Sequence, residues 1–114
     1  MPDEVPAKKV VRSGPRPEVV RDLVRQLALD TANIQWRRHA LERMVERDIT
    51  DEMALEVLRK GDLKGDIEPG DQSDEVALKM VRTIKGRSRE IGVVVVVVNS
   101  WKLRVITVEW EDLR

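Results

Sequence analysis

Apolar residues recur along this chain with two different periods, and the switch between them separates a helical first half from an extended second half. Val19, Val20, Leu23, Val24 and Leu27 fall at i, i+3 and i+4 spacing, while Arg21, Asp22, Arg25 and Gln26 take the other face. Pro17 suits a first helical turn and Glu18 the positive end of the dipole, so a helix is predicted over residues 17–29, ending near Asp30. Residues 30–33 read as a polar connection, and 34–36 as a short extended piece or the entry to the next helix. That helix is predicted over residues 37–47, with Ala40, Leu41, Met44 and Val45 as its apolar stripe and His39 and Arg43 nearly opposite. Thr50 followed by Asp51 and Glu52 is a good helix start. The helix after it buries Met53, Ala54, Val57 and Leu58 and stops at Gly61.

After Gly61 the alternation is that of strands. Residues 63–68 form a short strand candidate, and Pro69, Gly70 and Asp71 a turn. Residues 75–84 follow, with Val76, Leu78, Met80 and Ile84 on one face and Lys79 and Lys85 on the other. Residues 89–98 are the strongest strand, because six consecutive valines leave both its faces apolar and predict a central position. Residues 102–110 make the last strand and 111–114 a solvated tail. The expectation is an α+β fold: N-terminal helices packed on one face of a small, mainly antiparallel four-stranded sheet. Residues 1–15 read as a flexible arm and 16–114 as a single domain. A valine strand apolar on both faces needs cover on both, so the second face calls for the first helix, a second copy of the chain in a homodimer, or a partner protein.

Composition narrows the function classes. The chain has 114 residues, 41% hydrophobic and 37% charged, with 21 basic and 21 acidic side chains, so its formal net charge is zero. Any polyanion partner must therefore meet a local patch rather than a basic molecule. There is no cysteine, which excludes disulfides and thiolate metal sites, and a single histidine leaves a zinc site short of ligands, so no cofactor or metal is expected. With no Tyr or Phe and only three Trp, the aromatic platforms of single-strand binders are scarce. No stretch reads as a signal peptide or membrane span, which sets the expectation of a cytoplasmic protein with no membrane partner.

Two sets of residues could carry chemistry. His39, Arg43 and Arg47 recur at i, i+4 and i+8 on the second helix. An imidazole can take or give a proton near neutrality, and an arginine beside it can hold a phosphate through paired hydrogen bonds. That combination suits metal-independent RNA cleavage by the 2′-hydroxyl, with a base, an acid and a cation at the phosphate. The solvated face of a helix laced with Arg–Glu pairs has the same spacing. Lys79, Arg82, Lys85, Arg87 and Arg89 form the local basic cluster of a hairpin. They could follow an RNA strand through its phosphates, or simply protect a sheet edge.

The string His39-Ala40-Leu41-Glu42-Arg43-Met44, then residues 46–50, then a helix ending in Gly61, resembles the family of domains of unknown function numbered 4258. The ending at residues 105–110 resembles that family's last strand, and the resemblance covers about residues 34–110. The family in turn resembles the RelE-like and wider barnase-like ribonuclease toxins, which implies helices on a small antiparallel sheet and a setting in toxin–antitoxin pairs. By that resemblance His39, Arg43 and Arg47 are the polar signature, RNA is the substrate and an antitoxin protein is the partner. Zero net charge and the lack of tyrosine depart from the toxin pattern. The expected function is an endoribonuclease of toxin–antitoxin type. The competing expectation is a non-catalytic protein-interaction or self-associating module that uses an apolar sheet face.

Overall fold

The computed structural model describes residues 15–84, 86 and 88–112, so nearly all of the arm, together with Lys85 and Arg87, lies outside the described residues. Helix α1 spans Pro17–Leu27 and buries Val20 and Val24, with Ala28 just past its end. Val19, expected in the stripe, is 49% exposed. Arg25 donates to the Gly61 carbonyl at 2.9 and 2.6 Å and pairs with Asp62 at 2.7 Å. Arg59 donates to the Ala28 carbonyl at 2.7 Å, so guanidiniums reaching from both sides satisfy carbonyls at element ends that would otherwise lack partners.

Asp30 caps a single 3-10 turn, Thr31–Asn33, by accepting from the Ala32 amide at 3.0 Å. The chain then enters strand β1, Ile34–Trp36. Helix α2, Arg38–Glu46, follows, and then helix α3, Asp51–Lys60. The joint between them is a Schellman turn: Asp48 takes φ 58°, its amide bonds the Val45 carbonyl, and the Ile49 amide bonds Met44. Thr50 caps α3 by accepting from the Met53 amide at 3.1 Å, as its sequence position predicts. Gly61 ends α3 without a left-handed backbone (φ −77°). A Cβ there would collide with the Val57 and Val81 carbonyls, so glycine lets the helix end close on the sheet.

The sheet has five strands and is mixed, which corrects the expected four-stranded sheet. Strands β2 (Asp62–Pro69), β3 (Val76–Ile84), β4 (Arg89–Val98) and β5 (Lys102–Trp110) form an antiparallel meander. β1 adds to β5 in parallel, pairing Ile34 with Leu103 and Trp36 with Val105, so the order is β1-β5-β4-β3-β2. Three residues are too few to show an alternation, and their partner lies near the far end of the chain. β4 occupies the centre, as the valine run requires.

Ile91, Val93, Val95 and Val97 of β4 point to a core that includes Val20 and Val24 of α1, Ala40 and Met44 of α2, and Val57 and Leu58 of α3. All three helices therefore cover the same face. On the other face Val96 is buried outside that core, and Val94 and Val98 are half-buried. The sheet's own charged side chains lie over this face. Lys79 reaches across β4 to Glu109 at 3.1 Å and Glu111 at 2.6 Å, and Lys64 meets Glu111 at 2.7 Å. Arg104, beside Val96 in register, crosses to Glu75 at 3.4 Å. Long aliphatic stems with paired heads can shield valines from water. Glu111, expected in a solvated tail, has a side chain only 6% exposed. Gly92 makes room for it, since a Cβ there would strike the Glu111 carboxylate and the Lys79 stem.

Candidate functional site

The side of α2 that faces the sheet decides what its polar residues can do. Ala40 and Met44 are buried and Arg43 and Arg47 half-buried, whereas Leu41 and Val45, expected in the apolar stripe, are 43% and 81% exposed. The helix is thus rotated toward Arg47 relative to the predicted stripe. Two hydrogen bonds fix that rotation: Arg47 donates to the Val108 carbonyl at 2.9 Å, and the Trp110 indole donates to the Arg47 carbonyl at 2.8 Å. His39, Arg43 and Arg47 consequently wind from solvent toward the core, and do not all face outward.

Their circumstances differ accordingly. His39, the second residue of α2, is exposed, and its side chain makes no hydrogen bond or ion pair with any described residue. Arg43 pairs with Glu46 at 2.9 Å in an exposed i, i+3 contact. Arg47 is committed to the α2–β5 clamp.

The described basic residues of the hairpin, Lys79, Arg82 and Arg89, are not one surface. Lys79 lies on the outer face within its carboxylate lattice. Burial opposes its charge, but contacts with Glu111 and Glu109 outweigh that and hold its pKa above 10.5. Burial likewise works against the Glu111 carboxylate, and Lys64 and Lys79 outweigh it, holding its pKa below 4.5. Arg82 pairs with Glu56 of α3 at 2.8 Å and reaches the Lys60 carbonyl at 3.3 Å. Arg89 pairs with Asp112 at 3.2 Å and lies 4.1 Å over the Trp110 ring. Lys85 and Arg87 fall outside the described residues. The described members of the cluster are therefore all neutralised by acids.

The head of α2 is different. A cleft of about 490 Å³ opens there between Gln35 and Trp36 of β1, Arg37 and Arg38 at the helix start, and Arg104 of β5. Asp71, Gln72 and Glu75 from the β2–β3 turn close its other side. Arg37 is the N-cap residue and its side chain makes no capping bond, so the first-turn amides of α2 have no side-chain acceptor. Glu75 has a side chain 4% exposed; it accepts from the Gln72 amide at 3.3 Å and holds Arg104. Sequence reasoning missed the Arg37–Arg38 pair, although two adjacent arginines before a helix are a local signal that could have found it. Arg104 and Glu75 carry no such signal, because only strand register brings them together.

A family model described as a domain of unknown function (DUF4258) matches residues 36–110. No curated protein and no solved structure matches the chain.

Proposed function

The chain belongs to the DUF4258 family, a domain of unknown function, and from that premise we propose that it is a small toxin-type endoribonuclease on a RelE-like scaffold. The observation that carries the reading is His39: the chain's one histidine is open to solvent and unpaired among the described residues, at the head of α2 and next in sequence to the arginines of the cleft. In this reading the His39 imidazole takes the proton of an RNA 2′-hydroxyl. The freed oxygen attacks the adjacent phosphorus, the bond to the 5′-oxygen breaks, and the imidazolium returns the proton to that leaving oxygen. The products are a 2′,3′-cyclic phosphate and a 5′-hydroxyl. Arg43, one turn along, neutralises the phosphate after leaving Glu46, at a cost of under about 1 kcal/mol for an exposed pair. Arg47 holds α2 against β5 and acts as a positioning residue. An antitoxin protein would silence the chain by covering this end of α2.

Purified chain incubated with single-stranded RNA in EDTA should yield fragments ending in cyclic phosphate, and its expression should arrest growth. His39→Ala should abolish both with an unchanged circular dichroism spectrum. If the wild type cuts no RNA, or His39→Ala cuts as fast, the reading is wrong.

A second reading, a non-catalytic interaction module, is favoured by one observation. Val45 and Leu41 are exposed one turn apart on α2, an apolar strip that a partner chain could cover. Under that reading His39→Ala is silent and Val45→Asp abolishes association in light scattering.

A further inference from the structure

In this neutral chain Arg21, Arg25, Arg43, Lys64, Lys79, Arg82 and Arg89 each sit within 3.2 Å of a carboxylate oxygen. Arg37 and Arg38 do not, and they stand side by side on the wall of one cleft. Arg104 joins them from β5. Its contact with Glu75 is long, 3.4 Å, and engages one of its nitrogens, which leaves further N–H groups for another acceptor. Asp71 also lines the cleft, so with Glu75 two carboxylates face three guanidiniums and a positive excess remains. The start of α2, whose first-turn amides lack a side-chain cap, lines the same cleft, and the positive end of a helix dipole favours an anion as the guanidiniums do. Trp36, half-buried and packed against the core, also lines the cleft. A cationic cradle beside an aromatic ring matches a nucleotide: guanidiniums for the phosphate, a π-face for the base. The volume lies within the range of small-ligand sites.

We propose that this cleft is a nucleotide subsite, in which Arg37, Arg38 and Arg104 hold one phosphate of single-stranded RNA and Trp36 stacks the attached base. Glu75 is a positioning residue that sets the Arg104 guanidinium. The inference rests on the ribonuclease reading and deepens it: the subsite holds a nucleotide flanking the bond that His39 cleaves. It also moves the main RNA contact from the hairpin to the head of α2.

The test uses the full chain and a 2′-O-methyl RNA hexamer, which binds without being cut, with affinity read by fluorescence polarisation. Arg37→Ala, Arg38→Ala and Arg104→Ala should each weaken binding about tenfold and lower the salt dependence by about one counterion. Lys60→Ala, an exposed cation elsewhere, should change little. Trp36→Leu should weaken the hexamer but not inorganic phosphate, read from the amide NMR shifts of residues 38–40. Circular dichroism confirms that each variant is folded. Arginine variants that bind the hexamer like wild type overturn the subsite even if RNA is cleaved. Binding that is lost in those variants, with no cleavage by the wild type, upholds the subsite and removes the ribonuclease reading. Phosphate that shifts the residue 38–40 amides equally in wild type and Arg104→Ala overturns the place given to Arg104.

Discussion

Replacing Arg47 by alanine separates two roles that the sequence could not tell apart. If Arg47 held substrate, its loss would reduce activity and leave the fold alone. In the structure its guanidinium donates to the carbonyl of fully buried Val108 at 2.9 Å. A hydrogen bond with a charged donor contributes about 1.5–3 kcal/mol, and a carbonyl left without a partner costs its desolvation. Arg47 is only half-buried, so water can replace part of the loss and the lower end, about 1.5 kcal/mol, applies. The Trp110 bond to the Arg47 backbone carbonyl survives the substitution, so α2 should remain docked. With an m value of about 1–3 kcal/mol/M in urea, the midpoint should fall by about 0.5–1.5 M. Arg43→Ala, which breaks an exposed pair, should shift stability by less than about 1 kcal/mol. Urea unfolding followed by tryptophan fluorescence reads both. An Arg47→Ala protein of wild-type stability that has lost RNA cleavage would refute the structural assignment and return Arg47 to the reacting phosphate.

The outer-face lattice makes stability pH-dependent in two windows. Glu111 is depressed below 4.5, so its contribution is present above that value and is lost as pH falls through the folded pKa; Glu111→Gln should remove this acid limb from thermal melts. Lys79 is raised above 10.5, so its contribution is full below that value and is lost as pH rises through the folded pKa, a limb that Lys79→Met should erase. Gly92→Ala places a methyl against the Glu111 carboxylate and should cost about 1–3 kcal/mol, mostly recovered in a Glu111→Ala background; a double-mutant cycle with no coupling would contradict that packing. Thr50→Ala should cost about 1 kcal/mol through loss of the Met53 amide bond, and an unchanged melting temperature would contradict the cap.

How much was legible depended on the range over which each signal acts. Strands β4 and β5 occupy the predicted residues 89–98 and 102–110, because alternation and turn residues are local. α3 follows from Thr50 and the two acids after it. β1 is ambiguous in the sequence, since only its parallel pairing with β5 makes Ile34–Trp36 a strand. Glu111 looked like tail because nothing nearby in sequence reveals Lys64 and Lys79 closing on it across the sheet.

The chain alone therefore determined which residues share an element and where elements start and stop, since caps, turns and periods act within a few positions. Which way α2 turns was decided by tertiary structure. Its apolar period permits Leu41 and Val45 inside, but the Val108 carbonyl and the Trp110 indole engage Arg47 and turn those two outward. The candidate site follows the same rule. His39 and the Arg37–Arg38 pair are local to one stretch, while Arg104 and Glu75 reach the cleft through strand register, a long-range pairing that no local pattern encodes.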